Sequence, residues 1–221
     1  AVAVNYASNA AAAEGVVQQI VSQGGQASAV QGDVALEADI LRMFQTVDKQ
    51  LGRISALVNN AGVVDYASRV DAMSAARLQR MFAINISGSL LCAREAVQRM
   101  STKHGGSGGA IVNLSSVAAR LGGPGQYVDY AASKGAIDTF TVGLAKEVAT
   151  EGIRVNAVRP GIIDTEIHAS GGEPDRVRQL THLIPVQRPG SAMEVAQAIV
   201  WLMGDESSYC TGTFIDVSGG R

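Results

Sequence analysis

The sequence predicts an open α/β fold, a doubly wound parallel sheet with helices on both faces, in a single domain over residues 1–221. Three observations carry that expectation. Short β-branched runs alternate with longer stretches whose apolar residues recur every three or four positions, the pattern of repeated βα units. The carboxyl ends of the predicted strands collect polar residues and glycines while the strand bodies stay apolar; 25 glycines in 221 residues exceed the usual share of about 7%. A composition that is 47% apolar, with a formal charge of -2 and interspersed signs, suits one buried core and offers no basic stripe for nucleic acid.

Val2 to Tyr6 predicts the first strand, and Asn9 through Ser22 a helix stopped by Gly24-Gly25. Ala27 to Gln31 predicts a second strand ending at Gly32-Asp33-Val34. The helix from Leu36 to Gln50 follows, with Ile40, Leu41, Phe44 and Val47 on one side. Ile54 to Val58 is the third strand and runs into Asn59-Asn60-Ala61-Gly62. From Ala75 to Met100 the periodicity predicts one long helix with Gly88 near its middle, either a tolerated weak point or a close-packing position. Ala110 to Leu114, Ile153 to Val158 and Thr213 to Val217 complete the six strands, with helices at Asp129–Thr150 and Ala192–Met203. Residues 162–190 are the least regular stretch and read as a lid rather than a sheet element. One short helix is expected there, at Asp175–Leu183, with hinges at Gly171-Gly172 and Pro185 through Gly190.

In open α/β sheets the site lies outside the carboxyl ends of the strands. Those ends carry Asn5-Tyr6, Asp33-Val34, Asn59 to Gly62, Ser115-Ser116 and Pro160-Gly161. Tyr130 and Lys134 stand four residues apart, on one side of a helix. A free phenol titrates near 10, too high for efficient proton transfer at neutral pH, and a neighbouring ammonium favours its ionised form. Ser115 or Ser116 would bring a hydroxyl to the same place, the chain returning through Gly122-Gly123-Pro124-Gly125; residue chemistry alone does not separate the two. His104, His168 and His182 show no metal-ligand spacing and no nucleophile elbow, so a hydrolase or metal site is not expected. Cys92 sits in an apolar helical pattern and Cys210 is remote from it, which suits a reducing cytoplasm. No run approaches the roughly 18 apolar residues of a spanning helix.

Together these motifs resemble the short-chain dehydrogenase/reductase family, in particular its glucose dehydrogenase-like and 3-oxoacyl-carrier-protein reductase-like bacterial branch. The matching stretches are Asp33-Val34, Asn59 to Gly62, Asn85-Ile86-Ser87-Gly88, Ser115-Ser116, Tyr130 with Lys134, Pro160-Gly161 with Thr165, and Gly212 through Asp216 followed by Gly219-Gly220. The resemblance implies a Rossmann-type fold and hydride transfer between NADP(H) or NAD(H) and a carbonyl or secondary alcohol. It implies a catalytic group of Asn85, Ser116, Tyr130 and Lys134, and it favours Ser116 over Ser115.

The cofactor contacts it implies begin at Asn5 and Tyr6 and continue with Asp33 and Val34 at the adenine. Asn59, Ala61 and Gly62 line the adenosine side, while Lys134 and Tyr130 lie at the nicotinamide ribose. Pro160, Gly161, Ile163 and Thr165 open the lid. Asn5 to Asn9 holds no carboxylate that would repel a phosphate, which favours NADP(H). Relatives of this kind bind the pyrophosphate on a Thr-Gly-x-x-x-Gly-x-Gly turn, which does not occur before Val2. A strand-helix unit of roughly 25 to 30 residues is therefore expected to precede the sequence, cleaved or simply not included in it. If the chain starts at Ala1, the sheet is expected to lack a central strand and to bind cofactor poorly. A homo-tetramer or homo-dimer is implied, its interface formed by the apolar last helix and the Tyr209–Phe214 segment, with no nucleic-acid or membrane partner. A non-catalytic dinucleotide-binding protein on the same fold is the competing reading.

Overall fold

A computed structural model of the chain describes residues 1–165, 171–173 and 175–221. Strands β1 (Val2–Tyr6) and β2 (Ala27–Gln31) pair in parallel, with Val2 opposite Ala27 and Tyr6 opposite Gln31. They are joined by helix α1 (Ala10–Ser22), whose start is capped by Asn9 accepting from Ala12 N at 3.1 Å. Helix α2 (Glu37–Gln50) buries Ile40, Met43, Phe44 and Val47, a stripe at helical spacing.

A second, four-stranded parallel sheet has the order β3 (Ala56–Asn59), β4 (Gly109–Leu114), β5 (Ile153–Pro160) and β8 (Phe214–Val217). Between β3 and β4 run α3 (Ala75–Phe82), a π-helical stretch at Ala83–Gly88, and α4 (Ser89–Met100). Between β4 and β5 lie the short α5 (Ala118–Leu121) and the long α6 (Val128–Val148). After β5 come β6 (Ile163–Asp164), α7 (Arg176–Leu180), β7 (Gly190–Ser191) and α8 (Ala192–Met203).

One core joins Val30 of β2 and the α2 stripe to Cys92, Ala96 and Met100 of α4, Ala145 and Val148 of α6, and Ile111, Ile153 and Val155 of the sheet. The opposite face of the sheet packs Val112, Leu114 and Val158 against Val195 and Leu202 of α8. Helices therefore cover both faces, as a parallel sheet requires.

The β1–β2 pair and the four-stranded sheet form separate ladders, united by the packing of α2 on α4 and the shared core, as expected of a sheet that lacks a central strand. Other expectations need correction. The single helix expected over Ala75–Met100 is interrupted by wide turns at Ala83–Gly88, because Asn85 bonds outside its own helix. Residues 162–190 do contain sheet. Ile163 and Asp164 pair with Gly190 and Ser191, so the two ends of the expected lid are tied together. The helix expected at Asp175–Leu183 is present, α-helical over Arg176–Leu180 and closing in a tighter 3-10 turn at Thr181–Leu183. The lid residues Glu166, Ile167 and His168 lie outside the described residues. Of the expected hinges, Gly172 has φ +79° and Gln187, inside the second, has φ +57°.

Candidate active site

Tyr130 and Lys134 lie one turn apart in the first half of α6, which starts beyond a glycine turn. Gly122, Gly123 and Gly125 there have φ of +75°, +56° and +71°, a path that L side chains resist. The start of α6 is fixed by Asp129, almost fully buried, whose carboxylate receives Arg77 of α3 at 2.7 and 3.2 Å. Burial pushes the Asp129 carboxyl up, but the bonds from Arg77 and the backbone outweigh it and hold it below the usual carboxylate value. The same Arg77 donates to Tyr66 O at 2.6 Å, so one guanidinium ties the loop after β3 to the helix that carries the phenol.

Lys134 is buried, and its Nζ donates to Leu114 O at the end of β4 at 2.6 Å and lies 5.7 Å from the centroid of the Tyr130 ring. Burial lowers the ammonium to about 8, against a smaller upward pull from Asp138. Tyr130 shifts the other way: burial pushes the phenol above 10, and a hydrogen bond with the Ser116 side chain draws it back. Ser115 Oγ instead donates to Lys134 O at 3.2 Å. The two serines thus differ: Ser115 braces the α6 backbone, whereas Ser116 Oγ accepts from Ala118 N at 3.1 Å and lies near enough to the Tyr130 phenol to lower it.

Asn85 is 1% exposed, and its amide works in three directions. Oδ1 accepts from Val63 N at 2.8 Å, while Nδ2 donates to Val63 O at 2.9 Å and to Ser133 Oγ at 3.1 Å. Ser133 Oγ in turn donates to Tyr130 O at 2.7 Å. The π-helical stretch therefore serves to aim Asn85 at both the loop after β3 and the Tyr130 turn, a use of wide turns seen at functional sites. A Cβ on Gly62 would lie 3.5 Å from both Asn85 Oδ1 and Lys134 Nζ, so this glycine borders the same cluster.

The other expected contacts occupy the carboxyl edge with different freedoms. Asn5 gives its amide hydrogens to Val30 O and Gly32 O at 3.2 and 2.9 Å, and Tyr6 is half-buried beside it. Asp33 Oδ1 accepts from Ala35 N, and Val34 O is the atom that a Cβ on Gly88 would strike at 2.7 Å. Gly88 is thus a close-packing position. Asn59 is buried and its amide nitrogen turns inward, donating to Ser89 O and Asn113 Oδ1, beside exposed Ala61. Pro160 ends β5 and Gly161 N donates to Val217 O at 2.9 Å; a Cβ at Gly161 would come 2.8 Å from Ser218 Cα. The Ile163 side chain belongs to the core under α8, whereas Thr165 is exposed.

The residue reading overlooked Ser133, Arg77 and Asp129, whose partners are distant in sequence. It also overlooked Tyr127, which is buried and carries Arg176 of the lid 4.7 Å over its ring, with a bond from Arg176 to its hydroxyl at 3.3 Å. Burial pushes the Tyr127 phenol up to about 12. Tyr127 stands three residues before Tyr130, a spacing that could have drawn notice. No cluster of metal-ligating side chains occurs among the described residues, where His104 and His182 are exposed.

A parallel α/β sheet with a phenol, an ammonium and a hydroxyl gathered at its carboxyl edge is the arrangement of a nicotinamide-dependent oxidoreductase. The chain belongs to the short-chain dehydrogenase/reductase family, and a family model described as enoyl-(acyl carrier protein) reductase matches residues 1–221. It is 56% identical over 220 residues to an uncharacterised oxidoreductase of Escherichia coli K12, YgfF, covering 100% of this chain and 89% of that protein. It is 37% identical to a 3-oxoacyl-[acyl-carrier-protein] reductase of Synechocystis, covering 99% of this chain and 85% of the relative. Among solved structures, a blue fluorescent protein from a metagenomic library in complex with NADPH superposes with a TM-score of 0.88 at 30% identity, covering 99% of this chain and 86% of that one.

Proposed function

We propose that the protein transfers a hydride between NADP(H), or less readily NAD(H), and a carbonyl or secondary alcohol, with Tyr130 as general acid and base. The observation that carries this reading is Lys134 Nζ 5.7 Å from the Tyr130 ring, one turn along α6, with Ser116 acting on the same phenol. The residues at the carboxyl edge fit a dinucleotide: Gly62 adds no side chain beside Lys134, and Lys134 Nζ spends one of its three hydrogens, on Leu114 O. The remaining two are suited to ribose hydroxyls.

Bound nicotinamide supplies the hydride and, when oxidised, a positive charge. Ser116 holds the substrate oxygen against the phenol. Tyr130 gives its proton to that oxygen in reduction and takes it back in oxidation. Burial keeps the phenol protonated at neutral pH, which prepares it as an acid; acting as a base requires the charge of Lys134 beside it. Asn85 and Ser133 hold the Tyr130 turn in register with Val63, and residues 162–190 exclude water.

NADP(H) is favoured because the tip of β1 presents neutral groups, and the similar NADPH-bound protein supports the same choice. The expected setting is the cytoplasm, and the expected assembly a homo-tetramer or homo-dimer. No helix among the described residues is long and apolar enough to cross a membrane.

Tyr130→Phe tests the reading. We expect kcat for carbonyl reduction to fall by about 100-fold or more, with NADPH binding, read from its fluorescence, nearly unchanged. Lys134→Ala should weaken both. Turnover retained in Tyr130→Phe overturns the assignment.

A further inference from the structure

Tyr130, Lys134 and Asp138 stand at successive four-residue steps on α6, so one side of that helix carries a phenol, an ammonium and a carboxylate in order. Asp138 is held in place from β5. Arg159 reaches its Oδ2 with Nε at 3.0 Å and Nη2 at 2.9 Å. Arg159 is fixed in turn, its guanidinium 3.8 Å over the Phe214 ring and 3.7 Å from Asp216, which Arg120 meets at 2.8 Å. Charges therefore alternate from Arg120, half exposed near the surface, through Asp216, Arg159 and Asp138, to buried Lys134.

Arg159 takes up only one oxygen of Asp138. The other, Oδ1, is buried and makes no hydrogen bond among the described residues, an arrangement that costs stability and therefore calls for an explanation. Among the described residues, what faces Lys134 from its other neighbours is neutral: the Leu114 carbonyl from β4, Gly62 from the loop after β3 with Asn85 bordering the same space, and Tyr130 on its own helix. Asp129, at the start of α6, is already neutralised by Arg77. Among the described residues, Asp138 is the carboxylate whose charge acts on Lys134, against a burial that lowers the amine to about 8.

We propose that Asp138 is a positioning residue for the Tyr130–Lys134 pair: pinned by Arg159, its carboxylate keeps the buried ammonium charged, and that ammonium favours ionisation of the phenol. The claim about Tyr130 rests on the function proposed above; the claim about Lys134 does not.

The sign follows from the charges. Removing the anion makes the ammonium easier to deprotonate, and removing Arg159 makes it harder. The chain has four lysines, so their Cε signals can be followed by NMR in the full protein with 13C-labelled lysine, Lys134→Arg supplying the assignment. We expect the Lys134 midpoint, about 8 in the unaltered protein, to fall by about one pH unit in Asp138→Asn. It should rise in Arg159→Gln and return most of the way in Asp138→Glu. A purely structural role for Asp138 would not move the midpoint in opposite directions in the two variants. In alcohol oxidation the acid limb of kcat/KM should move to higher pH in Asp138→Asn, since the phenol loses its support. An unmoved Lys134 midpoint in Asp138→Asn, or a fall in Arg159→Gln as well, overturns the proposal. Should Asp138→Asn fail to fold, an unmoved midpoint in Arg159→Gln overturns it alone. The titration uses no substrate, so its failure is distinct from any activity retained by Tyr130→Phe.

Discussion

At the tip of β1, Asn5 has spent both amide hydrogens on Val30 O and Gly32 O, and Asn9 has spent its carbonyl on capping α1. The exposed Ser8 hydroxyl between them is a neutral group able to donate to a phosphate, and the same stretch holds no carboxylate to grip bare ribose hydroxyls. NADPH should therefore give the higher kcat/KM, and Ser8→Asp should move the ratio toward NADH by about tenfold, or 1.4 kcal/mol of differential binding. Steady-state kinetics with both cofactors checks this; a native preference for NADH defeats it. Single residues were legible where their partners are local. Tyr130 and Lys134 declare themselves because a helix fixes residues four apart without help from the rest of the chain. Ser115 and Ser116 could not be separated, because which hydroxyl meets the phenol depends on how β4 ends against α6. Asp138 shares the spacing of Lys134, yet its meaning depends on Arg159, which only the pairing of β4 with β5 brings near.

Elements whose apolar period is long and uninterrupted were legible: β1, β2 and α8 have the bounds their patterns predict. The stretch from α3 to α4 misled, because periodicity records which residues are buried and is silent on a widened turn. Its spacings of mixed length were the trace of the break. Gly88 closes that break against Val34 O, and a side chain there meets backbone, which cannot swing aside. Gly88→Val should lower stability by about 1–3 kcal/mol, seen as a lower urea midpoint at unchanged slope, and should loosen the Asn85–Val63 contact. An unchanged midpoint would show that the contact is slack. The two-residue strands β6 and β7 escaped notice because a ladder of that length leaves no periodicity, and their partners lie 27 residues apart, Ile163 with Gly190.

Across the whole molecule, both faces of the four-stranded sheet are covered, but the outer face of α8 is not. Met193, Val200 and Trp201 are exposed there at 65%, 62% and 42%, and Tyr209 stands fully clear of the chain. Apolar groups grouped in this way fit a surface that meets another copy. Val200→Glu should shift the protein to a smaller assembly by light scattering while leaving the far-UV dichroism intact; an unchanged mass would remove α8 from the interface. The order of layers was legible from the alternation of strands and helices, and the division into two ladders agrees with the expected lack of a central strand; the order β3-β4-β5-β8 was not legible, since strand patterns do not say which strands are bonded neighbours. The tie between β6 and β7 has a consequence for how such an enzyme changes its preferences. The two strands are bonded at Ile163–Gly190 and Asp164–Ser191, so the sequence between them can change in length and chemistry like an interchangeable nozzle on a fixed mount. Such changes would leave Tyr130 and Lys134 where α6 holds them.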